Sequence, residues 1–134
     1  MKLIQLLLTT FFSLFSLSIY PDDKPNIVLI LIDDLGLTDI QAYGGEISTP
    51  NIDSLANEGM LFTNYHTTPE CAPSRAMLLT GMDNHNTGIP MIPEVLPWEY
   101  RKTPGYEGYL RDDALTIAEI LKPAGYRSYM TGKW

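Results

Sequence analysis

Cysteine is all but missing from this sequence: Cys71 is the only one in 134 residues. A single thiol excludes an internal disulfide framework. Positive charge is short as well. Nine Lys and Arg stand against sixteen Asp and Glu, for a formal net charge of −7. A chain without a basic surplus lacks the phosphate attraction on which general nucleic-acid binding rests, so no nucleic-acid partner is expected. No internal repeat and no low-complexity tract interrupts the chain. Its length suits one small domain with a core of its own.

The N-terminus is unlike the rest. Met1-Lys2 leads into LIQLLLTTFFSLFSLSIY, an apolar stretch with a positive start and no acid. Ser16 and Ser18 stand at the −3 and −1 positions of a cleavage after Ser18, which is the pattern of a secretory signal. An uncleaved membrane anchor is the competing reading, because the run is nearly long enough to span a bilayer. Gln5, Thr9, Thr10 and three serines within it favour the cleaved signal, so no stable membrane anchor is expected. The expected organisation is a signal peptide over 1–18, a linker over 19–25 and a catalytic-type domain over 26–134.

The domain opens with NIVLILIDD. Residues 26–32 are apolar, β-branched and do not alternate, which predicts a central parallel strand buried on both faces. The segment STPNIDSLANEGM predicts a helix, with Thr49 as cap, Pro50 in the first turn and Gly59 as the stop. Residues 61–66 then read as a strand. A shorter helix is expected from Ser74 to Thr80, closed by Gly81. Residues 82–112 show no clear period and contain Pro90, Pro93, Pro97 and Pro104. They read as a long surface loop facing substrate. Thr116 and Glu119 form a capping box for a third helix, which Pro123 ends or kinks before Gly125. A last strand is expected over 126–131. The order predicts an α/β fold, a largely parallel sheet flanked by helices.

Two places can carry chemistry. Asp33-Asp34 closes the first strand, where open α/β sheets bind ligands. Two adjacent carboxylates repel unless a cation lies between them, and a hard divalent ion such as Ca²⁺ or Mg²⁺ does this with oxygen ligands. A solvated Asp-Asp turn is the plain alternative. Cys71 stands just before the second helix, where unpaired N–H groups and the dipole favour negative charge. Arg75 lies one turn on, and its planar fork suits a tetrahedral oxyanion. Taken alone, a lone cysteine reads first as a small buried hydrophobe, with a thiolate nucleophile needing a base such as His66 or His85 as the second option.

CAPSRAMLLTG resembles the signature of the type I sulfatases: Cys71, Pro73, Ser74, Arg75, Leu79, Thr80 and Gly81 match all its fixed positions. PNIVLILIDDLG is similar to that family's opening strand with its metal-binding aspartates. STPNIDSLANEGMLFTNYH is similar to its next helix and strand, and TIAEILKPAGYRSYMTGKW to the segment ending in Gly-Lys-Trp. The resemblance covers residues 25–134 and implies an alkaline-phosphatase-like fold, incomplete in this chain.

What the resemblance implies is a sulfuric ester hydrolase, arylsulfatase-like, in which Cys71 is oxidised to formylglycine by a maturation enzyme. The hydrated aldehyde attacks sulfur through one hydroxyl, and the second expels sulfate on collapse. By position, Asp33, Asp34 and the modified Cys71 hold Ca²⁺, with Mg²⁺ as the alternative. Arg75 holds the formylglycine, and Lys133 bridges it to a sulfate oxygen. Without that resemblance Lys133 reads as a surface lysine. Ser74 reads as a helix-cap and maturation-motif residue. His66 and His85 have no assigned role. The expected partners are a sulfate ester and the maturation enzyme, and the expected location is secreted, periplasmic or lysosomal.

Family members carry a histidine after Gly-Lys-Trp, an Asp-Asn metal pair, a second histidine and a second lysine. All of these follow Gly-Lys-Trp in the family and none of those later positions is in this chain, which therefore reads as an N-terminal piece expected to be inactive by itself. Two other functions compete: a phosphoester or phosphonate hydrolase of the same superfamily, and a non-catalytic secreted binding protein that keeps the fold.

Overall fold

The computed structural model describes residues 24–134, and the expected signal peptide over 1–18 lies outside them. The chain divides after Leu31 into two units. Of the first unit, residues 24–31 are described. They have no regular secondary structure and are exposed throughout. The second unit, 32–134, holds every helix of the described residues.

Helix α1 spans Pro50–Glu58. Proline in the first turn has its φ already set for a helix and loses no needed N–H. Thr49 takes the cap position, but its hydroxyl does not cap the backbone. Instead Thr49 Oγ1 donates to Asp53 Oδ1 at 2.9 Å and accepts the Gln41 N–H at 3.0 Å. Asp53 Oδ1 also accepts the Ala42 N–H at 2.9 Å. The threonine–aspartate pair thus ties the tight 3₁₀ turn Gln41–Tyr43 to α1. No residue of α1 is buried.

Helix α2 spans Cys71–Thr80 and ends on Gly81 at φ 69°. It begins three residues earlier than Ser74, so Cys71 is its first residue and Glu70 its cap. Ser74 is not a cap. Its hydroxyl donates back to the Glu70 carbonyl at 2.8 Å, one turn earlier, and shares a 2.6 Å hydrogen bond with the Thr68 hydroxyl. The Thr68 hydroxyl also reaches the Glu70 carbonyl at 2.9 Å. The turn into α2 is therefore gathered on one carbonyl oxygen.

The expected surface loop over 82–112 is instead where the core lies. Pro73, Arg75 and Ala76 of α2 are buried, and so are Thr87, Ile89, Leu96 and Ala114. A one-turn helix α3, Asn84–Thr87, packs on α2. The segment folds back through irregular bonds: the Gly108 N–H donates to the Gly88 carbonyl at 2.8 Å, and the Arg111 N–H to the Thr87 carbonyl at 3.0 Å. Gly88 sits at φ 88°, and a Cβ there would stand 2.6 Å from the Tyr109 carbonyl oxygen. Only glycine fits both the angle and the space. Bonds of this kind have no sequence period, which is why the segment reads as structureless.

Helix α4, Ile117–Leu121, opens with the expected capping box. The Glu119 N–H donates to Thr116 Oγ1 at 3.4 Å, and the Thr116 N–H to Glu119 Oε2 at 2.8 Å. Pro123 ends it as expected: the chain tightens into a 3₁₀ turn, Lys122–Ala124, and leaves at Gly125 with φ 86°.

The expected parallel sheet is not formed among the described residues. Residues 26–32, 61–66 and 126–131 carry no strand pairing, and Thr63–Asn64 bends within the second of them. A strand exists only through a ladder with a neighbour, and an apolar run on both faces needs cover on both faces. Neither is supplied here, and Val28 and Ile30 stand 80% and 74% exposed.

Candidate active site

Asp33 and Asp34 form a turn directly after the apolar run, and both are exposed rather than closing a buried strand. Asp34 adopts φ 56°, the only non-glycine residue with positive φ among those described. Aspartate tolerates that region better than most residues, yet the conformation is uncommon and worth noting at a carboxylate pair.

Cys71 begins α2, and Lys133 comes to it from far along the chain. Lys133 Nζ donates to Cys71 Sγ at 3.2 Å and to Asp33 Oδ2 at 2.8 Å. Arg75, one turn along α2, reaches back to the same place. Its Nη2 lies 3.3 Å from Asp33 Oδ1, and its Nη1 donates to the Lys133 carbonyl at 2.8 Å. Gly132 precedes Lys133 with φ 95°, so the chain turns there through a conformation natural to glycine. The structure thus brings Asp33, Cys71, Arg75 and Lys133 together. It does not place Asp34, His66 or His85 in contact with them. His66 Nε2 pairs with Asn64 Oδ1 at 2.7 Å, and His85 Nε2 with the Tyr106 hydroxyl at 3.3 Å.

Electrostatics hold the cluster. The Lys133 ammonium, and then the Arg75 guanidinium, keep the Asp33 carboxyl below its ordinary range. Asp33, followed by the Cys71 sulfur, keeps the Lys133 ammonium above its own. Both groups are therefore charged throughout the neutral range. Arg75 is 6% exposed, and its Nε has no hydrogen-bond partner. A buried guanidinium with a spare donor beside a nucleophile position is suited to an anion.

Two residues escaped sequence reasoning. Glu70 Oε2 accepts the Ile92 N–H at 2.6 Å, which anchors the folded-back segment to the residue before Cys71. Thr68 joins Ser74 in shaping the start of α2. The only signal in the sequence is a polar residue at each of two positions just ahead of a helix. The shallow depressions lined by Thr38, Asp39 and Ile47, and by Glu107, Arg111 and Asp113, include none of the four clustered residues. Within the cluster the Asp33 and Lys133 side chains are partly exposed, while Arg75 is buried.

The chemistry fits a divalent metal in part. Asp33 and Asp34 are hard oxygen donors adjacent in sequence, but Ca²⁺ takes six to eight oxygens, and among the described residues no three His, Cys, Asp or Glu side chains are grouped to hold an ion. Two carboxylates are a partial donor set, and one of them is engaged by Lys133 and Arg75.

The first residue of α2 is thus a cysteine held by a lysine, with a buried arginine and a carboxylate beside them. The chain belongs to the sulfatase family, whose model, described as "Sulfatase", matches residues 25–134. It is similar to an uncharacterised sulfatase of Schizosaccharomyces pombe, 48% identical over 83% of this chain and 21% of that protein. It is 44% identical to an arylsulfatase of Klebsiella aerogenes, over 84% of this chain and 24% of the relative. It is 45% identical to human arylsulfatase A, over 82% of this chain and 20% of the relative. The chain thus spans between a fifth and a quarter of the length of these relatives. The family implies an α/β architecture of the alkaline-phosphatase type.

Proposed function

We propose that this chain carries the nucleophile-bearing part of a sulfuric ester hydrolase that works after export. The observation that carries the reading is the meeting of Cys71, Arg75, Lys133 and Asp33, drawn from three separate stretches of sequence. Relatives named arylsulfatase support the reaction class. Cys71, converted to formylglycine by a maturation enzyme, supplies the attacking hydroxyl. Asp33 and Asp34, with the modified Cys71, are the residues that would hold Ca²⁺ or Mg²⁺, and such an ion would supply Lewis-acid polarisation of the sulfate oxygens.

The chain's own residues do the rest. Lys133 Nζ, already within reach of Sγ, donates to the nucleophile and to a sulfate oxygen, offsetting the charge that grows there. Arg75 fixes Lys133 through its carbonyl and turns a positive face to the bound anion. The dipole of α2 adds to both at its first residue. The substrate is a sulfate ester.

The test has two parts. The protein is expressed from its full reading frame together with a formylglycine-generating enzyme, and the peptide spanning Cys71 is analysed by mass spectrometry. An aldehyde at position 71, with release of sulfate from an aryl sulfate beyond that of Cys71→Ala, supports the reading. An unmodified thiol under those conditions rejects it. Faster turnover of the matching phosphate ester shifts the assignment to a phosphoester hydrolase.

A further inference from the structure

Glu70 takes the cap position of α2, one residue before Cys71, with extended backbone. A residue placed there commonly turns its side chain onto the first N–H groups of the helix. Glu70 does not, and no side chain caps α2. Its Oε2 accepts instead the Ile92 N–H at 2.6 Å, 22 residues along the chain. Ile92 belongs to a fixed part of the molecule. It lies in sequence between the buried Ile89 and Leu96. Its carbonyl accepts the Val95 N–H at 3.1 Å, and the neighbouring Pro93 carbonyl accepts Arg101 Nη2 at 2.6 Å. The Glu70 carbonyl is held separately, by the hydroxyls of Thr68 and Ser74. Residue 70 is therefore pinned through both its backbone and its side chain.

We propose that Glu70 is a positioning residue, whose bond to Ile92 sets where Cys71 stands relative to Lys133 Nζ. The inference rests on the reading of Cys71 as the nucleophile position given above. The chain passes from extended to helical between residues 70 and 71, so a small rotation there carries the residue 71 side chain with it. Lys133 meets Sγ from 62 residues away, and a contact of that span holds only if both ends are fixed. The Ile92 bond supplies the fixed end by tying the helix start to the core. An ionised acceptor makes such a tie roughly twice as strong as a neutral one. Directing the carboxylate to Ile92 also leaves the first N–H groups of α2 without a side-chain cap, beside the residue that uses the positive end of the helix. Glu70 acts through the residue it precedes.

Two variants separate the bond from the charge. Glu70→Gln loses the charge and keeps an acceptor oxygen at the same reach, whereas Glu70→Ala loses both. The protein is expressed from its full reading frame without a maturation enzyme. Cys71 is then alkylated with anionic iodoacetate and with neutral iodoacetamide, and each rate is followed by mass spectrometry. The ratio of the rates reads the ammonium beside the thiol, because Lys133 attracts only the charged reagent. Lys133→Met marks its loss, about fivefold, the scale of one unit charge about 4 Å away in water. The Glu70→Ala ratio should fall toward that of Lys133→Met, while Glu70→Gln holds the parent ratio or exceeds it. A merely structural loosening would raise both rates together and leave the ratio unmoved. Glu70→Met, apolar at similar length, gives the same reading if Glu70→Ala folds poorly. A parent ratio equal to that of Lys133→Met, an unmoved ratio in Glu70→Ala, or an equal fall in Glu70→Gln overturns the proposal. With the maturation enzyme present, Glu70→Ala should lose about tenfold in kcat on an aryl sulfate at nearly constant KM, as a nucleophile out of register does, and Glu70→Gln should restore it. An undiminished kcat overturns the proposal as well. Absence of sulfate release from the parent removes the hydrolase reading alone, since the alkylation ratio still decides what Glu70 does.

Discussion

Arg75 is the residue on which the candidate site turns. It is the one buried charge among the four clustered residues, and it reaches both Asp33 and the Lys133 carbonyl. Those two contacts need a planar fork with donors at a fixed angle, which a lysine cannot supply. Arg75→Lys keeps the charge and should still lose about 1–2 kcal/mol of stability, the scale of one or two charge-assisted hydrogen bonds. Urea unfolding followed by tryptophan fluorescence reads the loss, and an unchanged midpoint would show that the fork is dispensable. The residues of this cluster were nameable from the sequence, but only through the resemblance of CAPSRAMLLTG and the flanking motifs. Spacing alone left Cys71 as a buried hydrophobe and Lys133 as a surface lysine, because contacts across 62 and 100 residues leave no local trace.

Elements divide by how local their causes are. The capping box of α4 was legible because Thr116 and Glu119 act on each other's backbone three residues away. The Glu119 carboxyl is held below its ordinary range, first by the Thr116 N–H and then by the Thr116 hydroxyl. A carboxyl lowered in the folded state stabilises above its unfolded pKa and loses that contribution as pH falls through the folded value. Helix α4 should therefore weaken on acidification below the usual glutamate range. Thr116→Ala should cost about 1 kcal/mol and raise the Glu119 pKa, which carboxyl NMR resonances report. A Glu119 titration that ignores the substitution would show that the box contributes nothing. The core around Thr87, Ile89 and Leu96 was not legible, because it is held by turns and by a glycine at positive φ rather than by a repeating pattern. Helix α2 was legible in kind, yet its start was set by the Thr68–Ser74–Glu70 network rather than by a serine cap.

For the whole molecule the governing fact is apolar surface. Ile27 through Ile32 are all large, apolar and exposed, and Met60, Phe62, Tyr129 and Met130 add to the total. The alternation-free pattern that predicted a central strand remains sound as a statement of what these side chains require. It could not say where a partner for them would come from. Exposed apolar residues of this kind stabilise nothing where they stand and favour association. Val28→Glu together with Ile30→Glu should shift stability by no more than about 0.5 kcal/mol, while lowering self-association in sedimentation velocity. A large loss of stability would mean that the run is covered in solution.

The span of the Lys133 contacts has a consequence in time. The bond from Lys133 to Asp33 closes a loop of 100 residues, and the bond to Cys71 one of 62. Loop length adds little to the final free energy, about 0.6 kcal/mol per doubling, but long-range contacts are slow to find. The short-range bonds around residues 84–111 have no such search to make. During refolding, Cys71 should stay open to a pulse of thiol reagent after the amides of that stretch are already protected from exchange. Simultaneous protection would mean that both ends of the chain meet before the middle settles. On the expected order, the meeting of Asp33, Cys71, Arg75 and Lys133 is the last feature to form, and a partly folded molecule has a core but not that cluster.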